Sequence, residues 1–201
     1  MWPFISDLKA QVNYVEVLKP ETELEMRLLQ DPEFTEGLSW GVPRYGHPEG
    51  EIYKHIQEVL ENINLLGAQG LDRERLRLVA LVHDSFKHKE SRGIPRDWSK
   101  HHSVLARQYL ERFTNDSHVL EIVELHDEAY YAWRMEILHR KVVPGRIRLN
   151  ALLERVENCL QLYYLFFKCD TRTGDKTQAP LIWFEREIPQ LQITPFPDRA
   201  S

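Results

Sequence analysis

The spacing of apolar residues constrains this chain most strongly, because they recur every three to four positions along almost its whole length. The clearest example is the set Ile52, Ile56, Val59, Leu60 and Ile63. This spacing is typical of amphipathic helices. We find no convincing run in which apolar and polar residues alternate with the period of two of a half-buried strand. We therefore predict an all-α fold, with a core bundle of five longer helices and short accessory helices.

The five longer helices are predicted over residues 49–66, 72–83, 99–113, 116–133 and 144–167. Asp72 is the expected N-cap of the second, and Asn115 or Asp116 that of the fourth. Pro144 suits the first turn of the fifth and longest helix. Short helices are predicted over residues 21–30 and 181–188, and a loop rich in glycine and proline over residues 35–50.

Length and composition indicate one main domain with short additions, since 201 residues with 42% hydrophobic content are ordinary for a globular chain. We place an accessory helix in residues 1–34, the main domain in 35–175, and a helix and extended tail that pack on it in 176–201. No apolar run reaches the roughly 18–20 residues of a membrane span, and the N-terminus lacks the pattern of a signal peptide. Cys159 and Cys169 lie ten residues apart in one helical pattern and cannot pair along it. We expect a cytoplasmic protein with no membrane partner.

Charge indicates which partners fit. The net charge of −5 argues against general binding to nucleic-acid backbones. Residues 87–100 differ from the rest of the chain, because they hold five cationic side chains against two acidic ones. A local basic loop of this kind can focus the approach of a small anionic substrate, although a solvated loop between helices would have the same composition.

The most informative feature is a set of ionisable side chains on the apolar faces of the five helices. These residues are His55, His83, Asp84, His102, His126 and Asp170. Taken singly, such a histidine is typical of a hydrogen-bonded core residue, and such an aspartate of a helix cap. Together they would cost several kcal/mol each to bury without strong partners. Imidazole and carboxylate are ligands for divalent transition metals, and the lack of cysteine ligands argues against a closed structural zinc site. We therefore predict a metal centre.

The order of these residues resembles the HD-domain superfamily of metal-dependent phosphohydrolases. Its pattern, His…His-Asp…Asp, is matched by His55, His83-Asp84 and Asp170, and residues 78–87 resemble its apolar run, doublet and following lysine. His102 and His126 match positions that two-metal subfamilies use. Residues 41–43 and 47–55 look more narrowly like the start of the HD domain appended to bacterial tRNA nucleotidyltransferases, here expected to stand alone. The resemblance implies an HD-domain bundle over residues 35–175.

The resemblance also implies a site and an activity. His55, His83, Asp84 and Asp170 would bind one ion of Fe, Mn, Co, Ni, Zn or Mg. If a second ion binds, Asp84 would bridge, and His102 and His126 would complete the shell. Asp84 and Lys87 are the expected catalytic residues. Lys87, Arg44 and Tyr45 are expected to contact a small phosphate-containing substrate, a nucleotide-like monoester or diester.

Two other functions fit the same residues: a di-iron oxygenase on this scaffold, and a non-catalytic helical regulatory module. Within the site, a second doublet, His126-Asp127, competes with His83-Asp84. We prefer His83-Asp84 because the apolar run precedes it, and we interpret Asp127 as a solvated neighbour. We likewise prefer His102 to His101, and we interpret His47 as structural.

Overall fold

The structure, a computed structural model, describes residues 12–91 and 93–196. Its α-helices are α1 Tyr14–Leu18, α2 Glu23–Gln30, α3 Pro32–Leu38, α4 Ile52–Leu66, α5 Gly70–Val82, α6 His102–Leu110, α7 Ser117–Leu125, α8 Glu128–Trp133, α9 Val142–Arg155, α10 Leu160–Thr171 and α11 Ala179–Glu187. The described residues form no β-strand, and an isolated bridge joins Arg44 to His47. The predicted all-α fold is confirmed.

Helix α5 lies at the centre of the bundle and explains how the His83-Asp84 doublet comes to be internal. Every residue from Leu76 to Val82 is buried, so this helix has no solvent-facing side along its second half. Helices α4, α7 and α10 pack around it. The chain therefore delivers the doublet, which follows Val82 directly, to the interior of the bundle rather than to its surface.

Residues at the helix N-termini explain which of the predicted first residues agree with the structure and which do not. Asp116 caps α7, as predicted, and its carboxylate accepts hydrogen bonds from the backbone of His118 and Val119. Asp72 does not cap α5, because that helix begins at Gly70 and Asp72 lies in its first turn. Helix α3 overlaps the start of the predicted loop. It forms because Asp31 caps it and Pro32 occupies its first turn.

Two predicted long helices are each broken in two. The predicted helix over residues 116–133 is interrupted at His126-Asp127, between α7 and α8. The hydroxyl of Tyr163 fills that break, because it donates to the Leu125 carbonyl at 3.1 Å and accepts from the Ala129 amide at 3.2 Å. The predicted helix over residues 144–167 is likewise divided, into α9 and α10. No glycine or proline marks either break, so apolar spacing alone does not reveal them.

None of the helices in the described part of the chain combines the length and the apolar character needed to cross a bilayer.

Gly37 holds α3 against the turn that follows the doublet. A Cβ atom added there would lie 1.7 Å from the Ser85 carbonyl oxygen, so the two backbones must separate. We expect Gly37→Ala to destabilise the protein by about 1–3 kcal/mol, the usual cost of overpacking, in urea unfolding. Gly93→Ala is the matched control, because its nearest neighbour would be at 3.8 Å, an ordinary contact. Equal stability of the two variants would contradict the close approach at Gly37.

Candidate metal centre

The six ionisable side chains singled out by sequence analysis converge on one point in the bundle. They come from α4, from the end of α5, from the first residue of α6, from the break after α7, and from α10. Five of them are almost fully buried, and the Asp170 side chain is 18% exposed. The residues brought together are His55, His83, Asp84, His102, His126 and Asp170.

Four of these side chains form what we call the first group: His55, His83, Asp84 and Asp170. The Nε2 atoms of His55 and His83 lie 3.2 Å apart. Asp170 Oδ1 lies 3.0 Å from Nε2 of His55 and 3.8 Å from Nε2 of His83. Asp84 Oδ2 lies 3.8 and 3.6 Å from the same two nitrogen atoms. All four side chains therefore present one ligand atom to a common space.

The second group consists of Asp84, His102 and His126. The Nε2 atoms of the two histidines lie 3.3 Å apart. Asp84 Oδ1 lies 3.3 Å from Nε2 of His102 and 3.4 Å from Nε2 of His126. Asp84 thus turns one carboxylate oxygen to each group. Its Oδ1 is buried without a hydrogen-bond partner among the described residues.

This geometry fits bound divalent cations. With metal–ligand bonds of about 2.0–2.2 Å, neighbouring ligand atoms lie roughly 3.0–3.5 Å apart, close to the shorter separations in both groups. Pairs of imidazole nitrogen atoms that face each other, and a buried carboxylate oxygen without a donor, are costly unless a cation or a proton is shared between them. The residues present therefore suit a pair of metal positions with Asp84 between them.

The outer nitrogen atoms of two histidines show which tautomer they adopt. His83 donates from Nδ1 to the carbonyl of Ala80 at 3.0 Å, and His126 donates from Nδ1 to the carbonyl of Val123 at 2.9 Å. With Nδ1 donating in this way, Nε2 faces the group in each ring, and it carries the lone pair whenever the ring is neutral. These rings are oriented as metal ligands.

In the other two histidines, His55 and His102, a glutamate carboxylate lies beside Nδ1. Sequence analysis missed both of these glutamates. Glu90 Oε2 lies 3.2 Å from Nδ1 of His102. Glu49 Oε1 lies 3.4 Å from Nδ1 of His55, and it also accepts from Nδ1 of His47 at 2.9 Å. Neither glutamate is on the apolar face of a helix, so the search for inward-facing residues did not select them.

Asp127 lies beside the second group. Its carboxylate lies 3.5 Å from Nε2 of His102 and 3.7 Å from Nε2 of His126, and its side chain is only 27% exposed. It is therefore part of the wall beside the second group, and it is partly buried rather than simply solvated as predicted. His101, in contrast, accepts a hydrogen bond from the backbone of Ser103 and caps α6, so it serves the helix that presents His102.

A cleft of about 260 Å³ opens onto both groups. Its lining includes Asp84, His126, Asp127 and Asp170, the lysines Lys87 and Lys176, and the side chains of Tyr45, His47, Tyr130, Phe167 and Thr177. Lys87 is paired with Asp84, and Nζ of Lys176 lies 3.0 Å from Oδ1 of Asp170.

Two of the three residues predicted to contact substrate, Lys87 and Tyr45, line this cleft. Arg44 does not, so the structure gives no support to its predicted contact.

The basic loop over residues 87–100 is less available to an anion than its composition suggests. Lys89 pairs with Glu33, Arg96 with Glu90, and Lys100 with Asp97. The fifth cation, Arg92, lies outside the described residues. Of the described cations of this loop, Lys87 is the one that lines the cleft, so any attraction of an anion depends on Lys87 and on Lys176.

The charges around the two groups favour the ionised form of their carboxylates and the neutral form of His83. Burial opposes ionisation of Asp84 and Asp170, but the ammonium groups of Lys87 and Lys176 hold the pKa of each carboxyl well below its usual range. Burial lowers the pKa of His83 to about 3, so this ring is neutral. The carboxylates at the centre are therefore charged and this imidazole is unprotonated, as ligands must be.

Two other rings, His55 and His126, have raised pKa values, which favour a bound proton that a cation would displace. Burial and Lys176 oppose protonation of His55, but Asp170 and Glu49 outweigh them and raise its pKa. Burial likewise opposes protonation of His126, but Asp127 and Asp84 raise its pKa to about 9.

We therefore expect metal binding at about pH 7 to release a proton from His126, because this ring, with a pKa of about 9, must become neutral. Apparent affinity should increase between about pH 6 and 8, by up to about tenfold per unit for each proton released. The metal-free protein should show the opposite trend: the stability contributed by the raised pKa of His126 is present below its unfolded value and is lost as the pH rises through about 9. Calorimetry in two buffers of different ionisation enthalpy measures the released protons. Affinity that is independent of pH would contradict the protonated state.

Comparison with known proteins gives one match. Residues 52–147 match the family model of the HD domain. No curated protein matches the chain, and no solved structure matches it. The matched residues include His55, the His83-Asp84 doublet, His102 and His126, whereas Asp170 lies beyond them and joins the first group through α10. The match is to the HD domain in general, so the narrower resemblance to the module of tRNA nucleotidyltransferases stays a prediction.

Proposed function

Since the chain belongs to the HD-domain superfamily, we propose that it is a metal-dependent phosphohydrolase that acts on a phosphate monoester or diester of nucleotide-like size. The observation that carries this proposal is the position of Asp84. Its two oxygen atoms face two separate sets of histidine nitrogen atoms, and it lies at the inner end of a cleft that also holds two lysines.

The two groups would hold divalent ions, whose Lewis acidity would serve to activate water and to polarise a phosphoryl oxygen. The proposed ligands are His55, His83, Asp84 and Asp170 for one ion, and Asp84, His102 and His126 for the other. Asp127 lies close enough to the second group to join it.

The lysines bind the substrate in this proposal. Lys87 contacts Oδ2 of Asp84 and Lys176 contacts Oδ1 of Asp170, so each lysine lies beside a carboxylate of the proposed ligand set. When a phosphate enters, their ammonium groups can donate to its oxygen atoms and stabilise the charge that develops during hydrolysis.

The mouth of the cleft supports a substrate with an aromatic portion. The side chain of Tyr45 is 84% exposed and that of Tyr130 is 37% exposed, and both line the cleft. Exposed aromatic rings beside a phosphate position suit the stacking of a nucleobase. This arrangement supports nucleotides over simple sugar phosphates as the substrate class.

The six proposed ligands also suit a di-iron oxygenase. Lys87 and Lys176 favour the phosphohydrolase, because two cations in the cleft fit an anionic substrate. Elemental analysis of protein purified without chelator, paired with a panel of p-nitrophenyl phosphate, bis-p-nitrophenyl phosphate and nucleotides, tests the proposal. We expect one to two equivalents of metal and hydrolysis of at least one ester. Iron-dependent oxygen consumption without release of p-nitrophenol or phosphate would contradict the proposal and favour the oxygenase.

A further inference from the structure

Glu90 contacts His102, the imidazole of the second group whose Nδ1 faces a carboxylate and not a backbone carbonyl. Its Oε2 accepts from Nδ1 of His102 at 3.2 Å, and its side chain is 8% exposed. The other imidazole of the group, His126, donates instead to the neutral carbonyl of Val123. The two rings of one group thus differ in the charge of the acceptor behind them.

Resting on the metal centre of the proposed function, we propose that Glu90 is the positioning residue that determines whether the second metal position is filled. Accepting from Nδ1 fixes His102 in the tautomer whose lone pair lies on Nε2, and a charged acceptor makes that nitrogen a stronger ligand than a neutral one does. Losing such a partner reduces metal affinity by about 10- to 100-fold in other metal sites.

The surroundings of Glu90 keep it charged and in place. Arg96, which comes from the same loop, pairs with Oε1 and leaves Oε2 for His102. Arg96 also lies over the ring of Trp98 at 4.6 Å, which restrains the guanidinium. The paired guanidinium of Arg96 offsets the cost of burying the charge of Glu90. Glu90 is therefore a carboxylate at neutral pH.

The first group has its own carboxylate in a different part of the chain. Glu49, which precedes α4, lies 3.4 Å from Nδ1 of His55, whereas Glu90 follows the short 3-10 helix Lys87–Lys89. The two glutamates therefore contact histidines of different groups. Substituting one should affect one metal position and leave the other unchanged.

The test is titration of the metal-free protein with Mn²⁺ alone, followed by calorimetry and by electron paramagnetic resonance. In the native protein we expect two binding steps and, at saturation, the spectrum of a coupled pair of ions. In Glu90→Gln, which keeps the size of the side chain but removes its charge, we expect the second step to weaken by about 10- to 100-fold and the first to stay unchanged. The spectrum at the same Mn²⁺ concentration should then be that of a single ion.

Glu49→Gln is the matched control, because it makes the same chemical change beside the first group. It should weaken the first step and leave the second unchanged. Melting of the metal-free variants shows whether either change merely disturbs the fold. Two unchanged steps in Glu90→Gln, an equal weakening of both, or only one step in the native protein would each overturn the role of Glu90. A native protein that binds no Mn²⁺, Zn²⁺ or Fe²⁺ would instead contradict the proposed function itself.

Discussion

Replacing Asp84 with alanine is expected to remove both metal ions and to reduce hydrolysis of phosphate esters by at least about a thousandfold, since the ions supply several kcal/mol of transition-state stabilisation. Asp84 is the side chain whose two oxygen atoms face both groups. Its loss therefore affects both positions at once. Helix α5 ends before Asp84 and is buried by its own apolar residues, so helicity should be largely retained. Elemental analysis, a phosphatase assay and circular dichroism measure the three quantities.

Asp170→Ala is the informative comparison for this variant. Asp170 Oδ1 lies near the nitrogen atoms of His55 and His83, which both belong to the first group. We therefore expect Asp170→Ala to lose one ion where Asp84→Ala loses two. An Asp84→Ala protein that kept its metal and its activity would show that the proposed ligand set is wrong.

Replacing Lys87 with glutamine is expected to reduce kcat/KM for phosphate esters by about a hundredfold or more while the metal content stays unchanged, the usual size of effect for a group that stabilises transition-state charge. Lys87 is paired with Asp84 and lines the cleft, but it is a cation and not a metal ligand. Separate measurements of metal content and of steady-state kinetics distinguish these two roles.

Lys89→Gln provides the control two residues further along the chain. Lys89 points to the exposed carboxylate of Glu33 at 3.2 Å and does not line the cleft. An exposed pair of this kind contributes little to stability, so both activity and metal content should stay near the native values. If Lys87→Gln and Lys89→Gln had the same activity, Lys87 would have no part in binding phosphate.

The sequence predicts the proposed metal ligands better than the residues that contact those ligands. Helical spacing aims His55 and His102 inward, and the apolar run ahead of His83-Asp84 places the doublet at the end of a buried helix; the structure brings all of these together. Such predictions succeed because the period of 3.6 residues and the burial of apolar faces determine which way a side chain points.

The parts that sequence analysis missed depend on contacts between distant segments. Glu49 and Glu90 lie in connecting segments, whose paths do not follow from apolar spacing. Asp127 faces the second group because the chain breaks its helix at that point, and the break is held by Tyr163 from α10. Lys176 reaches Asp170 from the loop beyond α10. No periodicity in one segment reveals a hydrogen bond that another segment supplies.

The most direct test of the central claim is a crystal structure of the Mn²⁺-loaded protein with anomalous scattering. The account predicts two anomalous peaks separated by about 3.5–4 Å, as in two-metal sites. One should lie within about 2.0–2.2 Å of Nε2 of His55 and His83, and the other within the same distance of Nε2 of His102 and His126, with Asp84 bonded to both. Anomalous peaks located only away from these nitrogen atoms, or none in a crystal soaked with excess Mn²⁺, would contradict it.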